Sequence, residues 1–203
     1  MRYVSSLLLL ASAFAGLGQM PTALAGATTY TLDTSHTQIV FSVERFGFNR
    51  VIGLLDGIEG EVVFDEAAPG KSSVHATIPV ARLNTGNPER DGFLRGKLWL
   101  NGDAFPTIEF RSTSVKLLGG QRFEVQGTLS LAGVTAPVTF QASFNRRGPD
   151  HVSKRPAVGF SGAGALSRGA FGVRIAAPAI GDEVRFNIET VAIEKSPESA
   201  SPK

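Results

Sequence analysis

From Val134 to Phe144 the even-numbered positions read Val134, Ala136, Val138, Phe140, Ala142 and Phe144, and the odd ones Thr135, Pro137, Thr139, Gln141 and Ser143. A period of two places every apolar side chain on one face of a β-strand and would scatter them around a helix, so the segment predicts a strand with one dry face. The same beat recurs at Ile39, Phe41 and Val43, at Ile58, Val62 and Phe64, at Val74, Ala76 and Ile78, and at Ile108 and Phe110. It continues at Phe123, Val125, Leu129 and Leu131, at Val158 and Phe160, and at Val184, Phe186 and Ile188. Pro69-Gly70, Gly119-Gly120 and Ala132-Gly133 punctuate the runs. Turns that short join antiparallel neighbours, which makes this an all-β chain.

One segment leaves the beat. Asn87-Pro88-Glu89-Arg90 supplies a capping side chain, a proline whose missing N–H costs nothing at the first helical position, and an acid in the first turn, and so predicts a short helix. Leu94 and Leu98, four residues apart, would share its buried side, although Gly92 and Gly96 weaken it. The stretch 87–100 then forms a flap over an end or edge of the sheet.

Strands dry on one face either stack as two sheets or curl into a barrel. The chain is long enough for about eight strands, and a closed eight-stranded barrel can hold one small ligand. Gly127, Ala142, Gly162 and Gly164 fall in the same phase as the large apolar residues, and an inward face that carries glycines leaves a hollow. The other reading of these glycines is bulges or sharp strand bends. A β-sandwich interaction domain and an outer-membrane barrel are the alternatives, because alternation does not say whether the apolar face meets a lumen or lipid. The two Tyr and one Trp are too few for aromatic girdles, and the chain closes on the polar Ser201-Pro202-Lys203.

Composition narrows the chemistry. The 203 residues include no Cys, which excludes a disulfide framework, a thiolate metal site and a thiol nucleophile. A formal net charge of +2 argues against a nucleic-acid partner. Residues 1–25 read as a leader: Arg2 is their only charge, Val4 to Leu17 is mostly apolar, and Ala23-Leu24-Ala25 suits cleavage after Ala25. The apolar run is shorter than the about 20 residues that span a bilayer, and no later segment approaches that length, so no integral membrane segment is expected. Export without cysteine suits a bacterial periplasm, with one domain over 26–195 and a loose polar tail over 196–203. Fourteen Phe suit an apolar cavity, since phenylalanine has no polar atom that needs a partner, although taken alone they favour a filled core.

Catalytic constellations are absent from the sequence. His36, His75 and His151 are far apart, and no zinc-protease, phosphate-loop or nucleophile-elbow pattern occurs, so a non-catalytic protein is expected. His36, near a strand start, reads as a hydrogen-bonded structural histidine, and His75, between Val74 and Ala76, should face solvent. Arg90 and Asp91 either pair with each other in the flap or meet a polar ligand head, and Arg168 has the same two readings. The segment 145–157, with Arg146, Arg147, Lys154 and Arg155 against Asp150, reads as a solvated basic loop.

An ordered set of landmarks now carries a resemblance. Leu32-Asp33-Thr34-Ser35-His36-Thr37-Gln38-Ile39-Val40-Phe41-Ser42-Val43, Phe46-Gly47 and Gly60-Glu61-Val62-Val63-Phe64-Asp65 open it. Leu83-Asn84-Thr85-Gly86, Arg90-Asp91, Phe105-Pro106-Thr107-Ile108-Glu109-Phe110, the run Gly127 to Val138, and Arg168 ahead of Phe171-Gly172 follow in order. Together they resemble the YceI-like family of exported polyisoprenoid-binding proteins. The resemblance implies an extended lipocalin-like eight-stranded antiparallel barrel, commonly a homodimer, whose apolar tunnel holds a long isoprenoid chain, often a quinone tail, with no cofactor required. Phe93 and Arg45 stand where that family usually has histidine.

The tunnel is then expected to be lined by Ile39, Phe41, Val43, Phe46, Phe48 and Phe64 from the first half of the chain. Phe93, Leu94 and Leu98 would join them from the flap, and Ile108, Phe110, Val125, Leu129, Val138, Phe140, Phe144, Phe160, Phe171, Phe186 and Ile188 from the second half. His36, Arg90, Asp91 and Arg168 are the candidates for head-group or flap contacts.

Overall fold

The computed structural model describes residues 26–196, so the leader and the tail from 197 onward lie outside the described residues. Ten strands form: β1 (Thr28–Leu32), β2 (Gln38–Arg45), β3 (Asn49–Leu55), β4 (Glu59–Phe64), β5 (Ser73–Pro79), β6 (Thr107–Gly119), β7 (Arg122–Leu131), β8 (Val134–Pro149), β9 (Pro156–Ser167) and β10 (Ile180–Glu194). One helix, α1 (Pro88–Arg95), lies between β5 and β6. Its Asn87 side chain accepts the Arg90 N–H at 3.0 Å and Pro88 opens the first turn, as the sequence signals predict.

All pairings are antiparallel, and the order β1-β4-β5-β6-β7-β8-β9-β10 closes through β10 back onto β1, an eight-stranded barrel. The remaining two strands extend the wall. β10 pairs with β1 over Ala192–Glu194 and with β2 over Ile180–Glu189, so β1 and β2 run along one edge with an interruption between them. β3 and β4 are interrupted likewise at residues 56–58. At the β2–β3 end the ring is not closed by a ladder: β3 meets the segment after β5 through the single bridge Leu54–Asn84, with hydrogen bonds of 2.7 and 3.0 Å. A β-sandwich is thereby excluded. The outer face of β8, with Thr135, Pro137, Thr139 and Gln141 exposed, is not the apolar band a lipid-facing wall needs.

Turn chemistry sets the register. Ala132 and Gly133 both have positive φ, 51° and 81°, the two-residue geometry whose twist matches the strands it joins, here β7 and β8 through the pair Leu131–Val134. The basic stretch expected as a loop is mostly strand: β8 runs on to Pro149 and β9 starts at Pro156, because a bulge between Phe144 and Arg146 absorbs the residue that breaks the alternation.

The end of the barrel away from the β2–β3 hairpin is built of buried and aromatic side chains that floor the interior. Tyr30, Phe64, Phe123, Phe144, Val158 and Ala192 are all buried there. The Phe64 ring meets Phe123, Phe144 and Phe160 at centroid distances of 6.2, 5.1 and 5.1 Å. These are edge-on and tilted arrangements that favour aromatic packing beyond area alone.

Candidate functional site

Above this aromatic plug the inward residues change character. Ile39, Phe41, Val43, Phe140, Phe160, Phe186 and Ile188 point inward, yet each is only half-buried. Their free surface faces a cavity of about 320 Å³, at the lower end of the range of roughly 300–1,000 Å³ in which ligand pockets fall. Phe64, Leu94, Ile108, Phe110, Val125, Leu129 and Val138 complete the expected residues that line it. The polar side chains on the lining are few: Thr37, Ser72, Ser73, Ser161, Thr190 and Arg168.

The glycines explain how a barrel so rich in phenylalanine stays hollow. A Cβ at Gly53 would come within 2.3 Å of the Phe41 ring, one at Gly127 within 2.5 Å of the Phe110 ring, and one at Gly164 within 2.6 Å of the Phe186 ring. Phe41 and Gly53, and Phe186 and Gly164, are direct cross-strand partners. Each ring therefore lies down on the bare backbone of the neighbouring strand instead of projecting to the axis. The glycines do not themselves leave the space, as the alternation alone suggested; they let the rings leave it.

Six expected lining residues are elsewhere. Phe46 and Phe48 are exposed in the β2–β3 turn, the latter at 87%. They lie beyond the Arg45–Asn49 pair that ends the β2–β3 ladder, and their even numbers are out of step with the inward Ile39, Phe41 and Val43. Phe93 and Leu98 are 65% and 72% exposed. Helix α1 stops at Arg95, so the four-residue spacing of Leu94 and Leu98 has no helical face to act on. Leu100 folds back instead, its N–H bonded to the Leu94 carbonyl at 3.0 Å, and lines the cavity with Trp99. Phe144 belongs to the aromatic cluster around Phe64, and Phe171 is buried in a 3-10 turn, Arg168–Phe171, without lining the cavity. Trp99, Leu100, Val173 and Ile180 were not foreseen as lining; they lie in coil or at a strand start, where periodicity is silent, and the lone Trp was the one available signal.

The polar candidates resolve differently. Asp91 is buried and accepts from the Thr85 N–H at 2.9 Å and the Thr85 hydroxyl at 2.5 Å, while Arg90 donates to that hydroxyl at 2.7 Å and to the Thr85 carbonyl at 2.8 Å. They converge on Thr85 rather than on each other and fasten the flap, and neither lines the cavity. His75 points outward, as expected, between its cross-strand partners Glu61 and Arg111, but it is half-buried and its Nε2 is covered, so it is not the free surface group predicted.

Arg168 is the one charge on the cavity lining. It is buried, and it donates to the carbonyls of Gly181 (2.9 Å), Val173 (2.8 Å), Ile175 (2.9 Å) and Ile180 (2.8 Å), while its guanidinium carbon stands 5.6 Å from the Trp99 ring centre. Burial lowers its pKa, and the field of Asp182 opposes that. Asp182 itself is held below the usual carboxylate value by the Ser167 hydroxyl and the Gly169 N–H, ahead of the charges of Arg168 and Arg174.

His36 does not line the cavity and pairs with Asp33 at 2.7 Å on the surface. The hydrogen bond to Asp33, then its charge, raises the imidazole pKa above 6.5, while Asp33 is lowered because the bonds from His36 and Ser35 outweigh its partial burial. A raised folded value means that the pair's contribution is present below pH 6.5 and lost as the pH rises through the raised value. We expect NMR titration to place His36 above the ordinary histidine range, and Asp33→Asn to return it there; an unshifted His36 would contradict the pairing.

Fold and cavity together define a class: a lipocalin-like antiparallel barrel, closed on a dry, ligand-sized space. The YceI-like domain matches residues 30–192, and the chain belongs to that family. The UPF0312 protein of Azotobacter vinelandii is 34% identical over 169 residues, 82% of this chain and 85% of that one. The crystal structure of Burkholderia cenocepacia BcnA is similar with a TM-score of 0.72 and 23% identity, over 79% of this chain and 99% of that one. The structure of a polyisoprenoid binding domain from Saccharophagus degradans is similar with a TM-score of 0.62 and 15% identity, over 83% and 99%.

Proposed function

We propose that the protein is a non-catalytic periplasmic carrier that holds a long isoprenoid chain, of polyprenyl or quinone type, in the barrel cavity. The observation that carries this reading is the hollow itself, a space of about 320 Å³ kept open by rings folded onto glycines. Each methylene moved from water into such a lining contributes about 0.8 kcal/mol, so two or three isoprene units suffice for useful affinity after ordering costs. A branched hydrocarbon without polar atoms needs nothing from the walls but contact, which suits a lining of Phe, Leu, Ile and Val. Similarity to a domain described as polyisoprenoid-binding supports the same class of ligand. The lining offers scattered hydroxyls and one arginine whose donors are engaged by backbone carbonyls, so contact with an apolar chain is the chemistry these walls support best.

The test is organic extraction of the protein purified from its own periplasmic fraction, followed by mass spectrometry. A stoichiometric isoprenoid lipid is expected. Protein that yields only adventitious detergent or straight-chain fatty acid, or that never reaches the periplasm, would refute the reading.

A further inference from the structure

The hairpin end of the barrel carries an unusual tip. Phe46, Gly47 and Phe48 form the turn between β2 and β3, with Phe46 46% and Phe48 87% exposed. The neighbouring loop 172–179 is joined to them by the bond from the Phe46 N–H to the Ala179 carbonyl, 2.7 Å, and presents the exposed Ile175. Packing does not account for these side chains, and the backbone argues against a purely structural role. Phe46 sits at φ 53°, in the left-handed region, where a bulky residue is strained and where Asn or Gly would fold with less cost.

Two arginines flank the apolar side chains of the tip. Arg45 lies 4.4 Å over the Phe46 ring and Arg174 adjoins Ile175, while Arg50 on β3 is held by the Ser42 hydroxyl and carbonyl and Asp182 lies in the field of Arg174. Neither Arg45 nor Arg174 has a carboxylate within ion-pair distance among the described residues, and the nearby Glu44 is occupied by the Gly47 N–H at 2.7 Å. Projecting aromatic rings flanked by arginines are the chemistry of an interfacial anchor, in which rings enter the acyl boundary and guanidinium groups stay with phosphates.

We infer that this tip docks the barrel on an anionic phospholipid surface, with Phe46, Phe48 and Ile175 immersed and Arg45 and Arg174 on the headgroups. The contacting rings of Phe64, Phe123, Phe144 and Phe160 lie at the opposite end of the barrel, so docking puts the hairpin end toward the lipid phase. This goes beyond the carrier reading and does not require the cavity to be filled.

Flotation of the full chain with vesicles of phosphatidylethanolamine and phosphatidylglycerol, and with phosphatidylcholine alone, tests it. The wild type floats with the anionic vesicles and not with phosphatidylcholine. Phe46→Asn with Phe48→Ser weakens binding by roughly tenfold or more, while the relief of strain leaves thermal stability unchanged or higher. Arg45→Gln and Arg174→Gln each cost roughly fivefold at low salt. Equal flotation of the wild type and the aromatic variant, or no flotation of either, overturns the inference. So does a wild-type dimer that Phe48→Ser dissociates while vesicles fail to bind, since the tip would then belong to a second copy. Intact flotation of protein that co-extracts no lipid counts against the carrier reading alone.

Discussion

Gly164→Val should abolish ligand retention while leaving a folded barrel. Valine is the better strand former and Gly164 has no positive φ, so the backbone of β9 gains from the change. The loss comes from the ring. A Cβ there would stand 2.6 Å from the Phe186 ring and 2.8 Å from the Phe140 Cβ, on both flanking strands, so Phe186 must lift off the wall and stand into the lumen. Overpacking of this kind costs about 1–3 kcal/mol of stability. Each methylene of ligand displaced costs about 0.8 kcal/mol more in binding, so even two amount to about a fifteenfold loss of affinity. Mass spectrometry of extracted protein and thermal unfolding measure the two effects separately. Ala165→Val, on the outer face one residue along, should change neither. A Gly164→Val protein that keeps its lipid would show that the rings do not define the ligand space.

Arg168→Leu should be the most destabilising single change at the hairpin end. It leaves the carbonyls of Gly181, Val173, Ile175 and Ile180 without their common donor and leaves the buried loop backbone unsatisfied. Charge-assisted bonds to a buried guanidinium are individually worth more than neutral ones, and their joint loss is expected to cost about 3–5 kcal/mol. For a domain of this size that is a fall in Tm of about 10 °C or more. Arg168→Lys should recover little, because one ammonium cannot reach four carbonyls arranged around a planar fork. A shift below about 2 °C would mean that the loop is held by other contacts.

The strands were legible because one face of nearly every wall segment is dry, and period two survives any detail of packing. The hollow was legible only in outline: Gly127 and Gly164 in the apolar phase flagged it, but that Phe110 and Phe186 lie upon them is a cross-strand fact that no single segment contains. Where local patterns stop, the reading failed for definite reasons. Leu98 shares a helical spacing with Leu94, but the helix ends at Arg95, and Phe46 and Phe48 lie in the turn beyond the last pair of the β2–β3 ladder, where no strand period acts. Asn145 hid a bulge, which lengthened β8 into a presumed loop. Arg90 and Asp91 looked like a pair because they are adjacent, whereas their geometry is set by a third residue, Thr85.

The two interrupted wall positions make the tube mechanically unequal along its length. Around the plug every strand is stitched to both neighbours by a full ladder, whereas β3 is tied on its outer side by the Leu54–Asn84 bridge alone, beside the Arg82–Asp56 contact at 2.6 Å. Such a seam can part and re-form without unzipping any ladder. The girth of the tube is thus fixed by continuous ladders at its base, while near its rim it rests on a single stitch that local opening can undo.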